Sequence, residues 1–365
     1  MLDTLRNAVR VSDLRARVLF TLGMLVLFRL GSHIPVPGVD ARAFADLLRT
    51  GTGNVFGLLD LFAGGALSNF SIFALGVNPY ITSSIILQLL TVVIPSLEEL
   101  AKEGVEGRKV LAQYTRWGTV VLAVIQAVGT VALAVSNGVA EANFLSVSVI
   151  VVSLTAGSML LMWIGELMTE NGIGNGISVL IFAGIVARFP AYAVNVTRAL
   201  GPGGVSYFSV LLFLVLSLAV VVAVVLIQEG VRRIPVQYAR RVVGRRMYGG
   251  QSTHIPLRVN SAGVMPVIFA SSILTFPATI GTWFPALAGI NRWMGYGTWG
   301  YNIVYALLVI FFTYFYTAVT FNPNDVADNL KKWGGFIPGL RPGRPTAEFL
   351  DRILNRITLV SAVFL

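Results

Sequence analysis

Long runs without a single charged residue constrain this chain more than any other feature. Residues 61–97, 117–140, 142–165, 171–187, 199–228, 259–291 and 293–324 contain no Asp, Glu, Lys or Arg, and 18–39 is interrupted only by Arg29. A helix that crosses a bilayer needs about 20 mostly apolar residues. The runs therefore read as eight complete spans. A ninth, 357–365, is expected to continue beyond the last residue given, so the chain reads as cut short within span 9. Only 12% of the 365 residues are charged, against roughly 25% in soluble domains. A water-facing surface cannot be built from so few charges, which excludes a soluble enzyme, a disordered regulator and a fibrous protein. The absence of Cys removes disulfides, thiolate metal sites and Cys nucleophiles together.

The run 61–97 is too long for one span. As a continuous helix it would measure about 55 Å. Gly64-Gly65 and Asn78-Pro79 are its natural breaks, because glycine and proline interrupt regular helix. The expectation is a short half-helix over 54–67, entering from one side, and a full span over about 70–94. Irregular backbone at membrane depth survives only inside protein or beside a water-filled cavity, so this pattern points toward a pore.

Lys and Arg set orientation. Of the 27 cations, 20 fall in the N-terminus and in the loops after spans 2, 6 and 8, and five (Arg42, Arg49, Arg188, Arg198 and Arg292) fall on the other side. The basic side, with the N-terminus, is expected to be cytoplasmic. The loop between spans 4 and 5 is the exception, carrying Glu166 and Glu170 and no cation. Arg29 is expected to snorkel or to meet a carbonyl rather than to carry function. A net charge of +10 asks for anionic neighbours such as lipid headgroups, RNA or acidic proteins.

Catalytic chemistry is thin. The two His, His33 and His254, have no carboxylate at ligand spacing, and no H-E-x-x-H or phosphate-binding loop is present. No cofactor or metal is expected. The glycines of Gly172-Ile173-Gly174-Asn175-Gly176 read as a tight turn between helices. No acid lies deep inside a span, which counts against a proton- or sodium-coupled carrier. Two segments share a pattern: Gly76-Val77-Asn78-Pro79-Tyr80-Ile81 and Gly263-Val264-Met265-Pro266-Val267-Ile268, each followed by Ser-Ser-Ile. They run in opposite directions in the expected topology, as an inverted repeat requires; two proline-kinked helices alike by chance is the other reading. A repeat would divide the chain into spans 1–5 (1–200) and the remainder (201–365).

Four longer stretches then carry a family resemblance: 64–95, 161–178 (LMWIGELMTENGIGNGIS), 251–280 and 321–343 (FNPNDVADNLKKWGGFIPGLRPG). They resemble bacterial SecY, the central subunit of the Sec protein-translocation channel, and the likeness runs to the last residue. It implies an all-α polytopic membrane protein, a SecY-type inverted repeat of two five-span halves around a pore, truncated here. It implies a passive, non-enzymatic channel for unfolded preproteins and, sideways, for membrane segments; a secondary transporter and an intramembrane enzyme are the competing readings. Val77, Ile81, Ile181 and Ile268 match the family's pore ring, with a further member due from span 10. The half-helix, with Leu58, Leu59, Phe62, Gly64 and Gly65, matches the plug. Spans 2 and 7 match the lateral gate, to which Thr82 is assigned; Gln126 of span 3 and Asn260 at the start of span 7 are polar groups near it that either bond across the gate or are satisfied within one helix bundle. Arg240, Arg241, Arg245, Arg246 and Arg341 match loops that dock the SecA motor or the ribosome, including its RNA. SecE and SecG subunits, signal sequences and the lipid bilayer complete the implied partners, in the bacterial inner membrane.

Overall fold

Helices dominate, as the apolar runs require. The computed structural model describes residues 11–50, 60, 63–200, 206–238, 241–243, 246–248, 253–283 and 298–365. Among these, five helical stretches are long and apolar enough to cross a membrane, and a sharply bent pair makes a sixth. The chain divides into two compact units: Met1–Ala199 with Ser272–Asn302, and Leu200–Ser271 with Ile303–Leu365.

In the first unit, α1 (Ser12–Gly31) takes the place of the first expected span and α2 (Ala41–Thr50) follows. The second span begins later than expected, at Asn78 rather than near 70, with α3 (Asn78–Val93). Residues 63–77 are apolar enough for a helix, but Gly64, Gly65 and Gly76 have φ of 66°, 91° and 59°. That left-handed backbone favours glycine and breaks a right-handed helix, so the stretch folds as successive turns. Pro79 sits in the first turn of α3, where a missing N–H costs nothing. Pro95 ends the span by forcing Ile94 into extended backbone. Beyond it α4 (Pro95–Lys102) departs at 103°.

Helix α5 (Val105–Ser136) packs on both α3 and α6 (Phe144–Asn171). Small residues permit the approach. Ser83 Oγ donates to the Thr115 carbonyl (2.8 Å), and a Cβ on Gly118 would lie 2.4 Å from the Ser83 Oγ. The glycine turn after α6 is built as the sequence suggests: Gly174 has φ 70°, Asn175 accepts from Ser178 N (3.1 Å), and the Ile173 and Gly176 N–H groups donate to Thr21 and Thr169 hydroxyls. Helices α7 (Gly176–Val186) and α8 (Phe189–Ala199) together form one 24-residue apolar stretch, longer than the expected 171–187.

The second unit opens with α9 (Tyr207–Glu229), apolar all round and with no buried side chain. The basic loop that follows is not irregular. Strand β1 (Val231–Tyr238) pairs antiparallel with β4 (Thr253–Arg258), Ile234 opposite Ile255, and with β5 (Gly335–Phe336). Strands β2 (Arg241–Val243) and β3 (Arg246–Tyr248) form a second hairpin. The strands add to an otherwise helical architecture. Ile234, Val236 and Leu257 are buried against α12 (Pro323–Lys332) and α13 (Arg344–Phe364) through Leu330, Leu350, Ile353 and Leu354. The expected run at 357–365 is thus the end of a helix that starts at Arg344. Helix α10 (Met265–Trp283) stands for the seventh span and α11 (Trp299–Thr320) for the eighth.

Candidate functional site

Two helices begin on the same local device. Before α3, Gly76 takes left-handed backbone and its carbonyl accepts from Ser158 Oγ of α6 (3.2 Å). Before α10, Gly263 does the same with φ 64°. Here Asn260 closes the turn: its Oδ1 accepts from Gly263 N (2.9 Å) and its Nδ2 donates to Gly263 O (3.2 Å). A proline follows in the first helical turn of each, and Ile81 and Ile268 occupy equivalent positions just after it.

The expected ring residues are aliphatic groups at these helix starts. Val77 precedes α3 and accepts from the Ile81 N–H through its carbonyl (3.1 Å), so the two side chains stack on one face. Val77 is buried and Ile81 partly buried in a cluster with Phe28, Phe73, Leu161, Ile164 and Leu180. Ile181 is half-buried on α7 and Ile268 half-buried in the first turn of α10. Val77, Ile81 and Ile181 belong to the first unit and Ile268 to the second.

Of the expected gate residues, Thr82 and Asn260 are occupied locally. Thr82 Oγ1 donates to the Asn78 carbonyl of its own helix (2.9 Å), and Gln126 is half-buried on α5. Asn260 is buried and receives a third bond, from Ser361 Oγ of α13 (3.0 Å). Its partners therefore lie within its own unit.

Of the expected plug, Leu58, Leu59 and Phe62 lie outside the described residues. Gly64 and Gly65 belong to the turn segment, which is tightly held. The Asp60 carboxylate pairs with Arg188 at the end of α7 and accepts from Ser68 N (2.9 Å). Arg29 meets a carbonyl, donating to Gly64 O (3.1 Å). Farther on, Val36 N donates to Phe70 O and Ile72 N to Ile34 O, and Phe73 stacks on Phe28. From the sequence, Arg188 is expected only as a topological charge. Its signal was available: one of five cations on its side, it answers the only acid between residues 47 and 97.

Among the docking candidates, Arg240 and Arg245 lie outside the described residues, and Arg241 and Arg246 are described only as strand backbone in the β2–β3 hairpin. Arg341 is exposed at a framed loop tip. Gly339 and Gly343 flank it with φ of 84° and 104°, its carbonyl accepts from Thr346 Oγ1 (2.9 Å), and Thr346 is buried. Glu166 and Glu170, expected in a loop, lie on the last turns of α6, and Glu166 gains a cation there: Arg116 Nε donates to Glu166 Oε1 (2.9 Å). Among the described residues no three His, Asp or Glu side chains group closely enough to hold a metal ion.

A family model, SecY, matches residues 71–365. The chain belongs to the SecY family. The protein translocase subunit SecY of Escherichia coli K12 is 48% identical over 366 residues, covering 97% of this chain and 83% of its own length. A solved protein-conducting channel superposes with a TM-score of 0.63 at 20% identity, covering 96% of this chain and 84% of that one. Sec61 in a canine ribosome–channel complex from the endoplasmic reticulum superposes at 0.52 and 18%, covering 96% and 84%. The fold is that of the SecY channel, and the molecule is a multi-pass membrane protein that serves as a translocase subunit.

Proposed function

We propose that this SecY-family chain forms the pore through which unfolded preproteins cross the bacterial inner membrane, with its N-terminus cytoplasmic. Residues 1–200 and 201–365 act as two halves, and spans 2 and 7, α3 and α10, part to release membrane segments into lipid. The observation that carries this reading is the shared helix start: Gly-Val-x-Pro-x-Ile places an isoleucine, Ile81 or Ile268, in the first turn of one helix in each half. Together with Val77 and Ile181 these side chains make an aliphatic ring. Such a ring blocks ions by dewetting, and β-branched side chains, stiff at χ1, keep it firm. Aliphatic walls offer a passing polypeptide few hydrogen bonds, so the ring seals without gripping.

The driving force comes from outside, from the SecA motor or the ribosome, with SecE and SecG as companion subunits. The Sec61 relative seated on a ribosome supports this assignment for the framed Arg341 loop and the basic β2–β3 hairpin. The pore reading is tested by conductance. With Val77, Ile81, Ile181 and Ile268 replaced by Gly in pairs, the full protein in planar bilayers should leak ions at rest. Leak equal to wild type in every such pair removes the ring.

A further inference from the structure

Asp60 and residues 63–68 are held by two arginines, Arg29 of α1 and Arg188 in the turn that follows α7. Arg188 pairs with Asp60 Oδ2, and its Nη2 also donates to Ser68 Oγ (3.2 Å). Ser68 in turn donates its N–H to Asp60 Oδ1 and its hydroxyl to Gly65 O (2.9 and 3.0 Å). From α1, Arg29 donates to Gly64 O (3.1 Å). The Asp60 side chain is only 6% exposed and that of Arg188 24%. Glycine makes the fit possible: a Cβ on Gly64 would stand 2.9 Å from Gly184 Cα, and one on Gly65 3.2 Å from Arg188 Nη2. Gly184 and Arg188 lie one turn apart, so the end of α7 offers a flat seat and a charged grip together.

We infer that Arg29 and Arg188 clamp the channel shut, and that the Asp60–Arg188 pair is the bond that breaks on opening. The inference rests on reading this segment as part of the plug, and it assigns the residues that set the threshold for release. Residues 70–77 are fastened without an ion pair, by apolar burial that also covers Ala63, Ala66 and Leu67. Phe70, Phe73, Ala74 and Leu75 are buried, and backbone bonds tie the stretch to the chain after α1. Apolar burial of that kind does not let go when water enters. An ion pair does: its attraction weakens as water replaces protein around it, and its partners are re-solvated. A polypeptide entering the pore brings water with it, so the Asp60–Arg188 contact is the first to release while the apolar stretch from Ala63 onward stays as its root. Arg188 is thus a positioning residue for the seal and needs no contact with the substrate.

The test uses the full translocase complex and reads resting ion conductance, together with transport of a preprotein carrying a weakened signal sequence. Asp60→Asn and Arg188→Gln should each raise resting conductance roughly tenfold, because each strands a partner of a buried pair, and should admit the weak-signal substrate. Asp60→Arg combined with Arg188→Asp should bring both readouts back toward wild type, which a merely structural loss of packing would not do. Melting temperature and complex assembly are measured alongside. Should a single variant fail to assemble, the exchanged pair decides: assembled and sealed, it supports the clamp; assembled and leaking, it overturns it. Single variants as tight as wild type also overturn the clamp. If the Gly ring variants leak in the same bilayers, that failure leaves the pore reading standing; if they do not, the pore reading is what has failed.

Discussion

Arg341 has the setting of a docking residue: an exposed guanidinium on a loop whose backbone cannot drift. Gly339 and Gly343 fix the turn, Leu340 N donates to Ile337 O (3.0 Å), and Thr346 holds the Arg341 carbonyl. Little conformational entropy is left to lose on binding. Arg344, three residues on, is spent differently, in a surface pair with Glu348 (3.1 Å) whose side chains are 90% and 63% exposed. Arg341→Glu should cut transport into vesicles and weaken motor or ribosome binding by roughly 2–5 kcal/mol if the contact is desolvated. Arg344→Glu should do far less, while orientation survives in both because acids count little in topology. Equal damage from the two variants would reduce the loop to bulk charge. Single residues divided sharply in how readable they were. Val77 and Ile81 could be placed on one face by their spacing alone. The Asp60–Arg188 pair had only charge balance to suggest it, since no periodicity links residues 128 apart.

Between elements, close approach is governed by residues that carry almost nothing. A Cβ on Gly157 of α6 would fall 1.8 Å from the Ile72 carbonyl, and backbone cannot yield by rotating a side chain. Gly157→Ala should therefore destabilise by about 1–3 kcal/mol, read as a lower Tm in detergent. Gly23→Ala on α1, where nothing lies within 4 Å, is the control and should be neutral or slightly stabilising. Matching melting curves for the two would mean that the turn segment is not packed as described. Elements also show why some structure escaped the sequence reading. The β1 hairpin has a period-two signal, with Ile234 and Val236 inward and Arg233 and Gln237 outward, but its arginines drew attention to topology. The span expected from residue 70 failed because hydropathy does not register backbone handedness at Gly76. Where the pattern was apolar and uninterrupted, as in α9, the expected end at 228 and the observed end at Glu229 agree, while the helix begins at Tyr207, eight residues after the expected start.

For the whole molecule, the proposed gate makes a prediction that the absence of native Cys renders clean. Cys in place of Thr82, combined in turn with Cys at positions along 268–274 of α10, should include pairs that oxidise to a disulfide. Such pairs should block translocation when oxidised and restore it when reduced. Full crosslinking with unchanged transport would place the exit elsewhere. The same whole-chain view gives the Asp60–Arg188 pair a meaning in time. Its members are 128 residues apart, and a ribosome adds roughly 5–20 residues per second. Asp60 therefore waits about 6–26 s for its arginine during synthesis. An unpaired carboxylate is costly inside a bilayer, so Asp60 has no partner for its charge until Arg188 has been made. On the proposed plug reading, the seal is consequently a late event in the birth of each channel, and every new copy passes through an interval in which the spans before it are in place and the stopper is not.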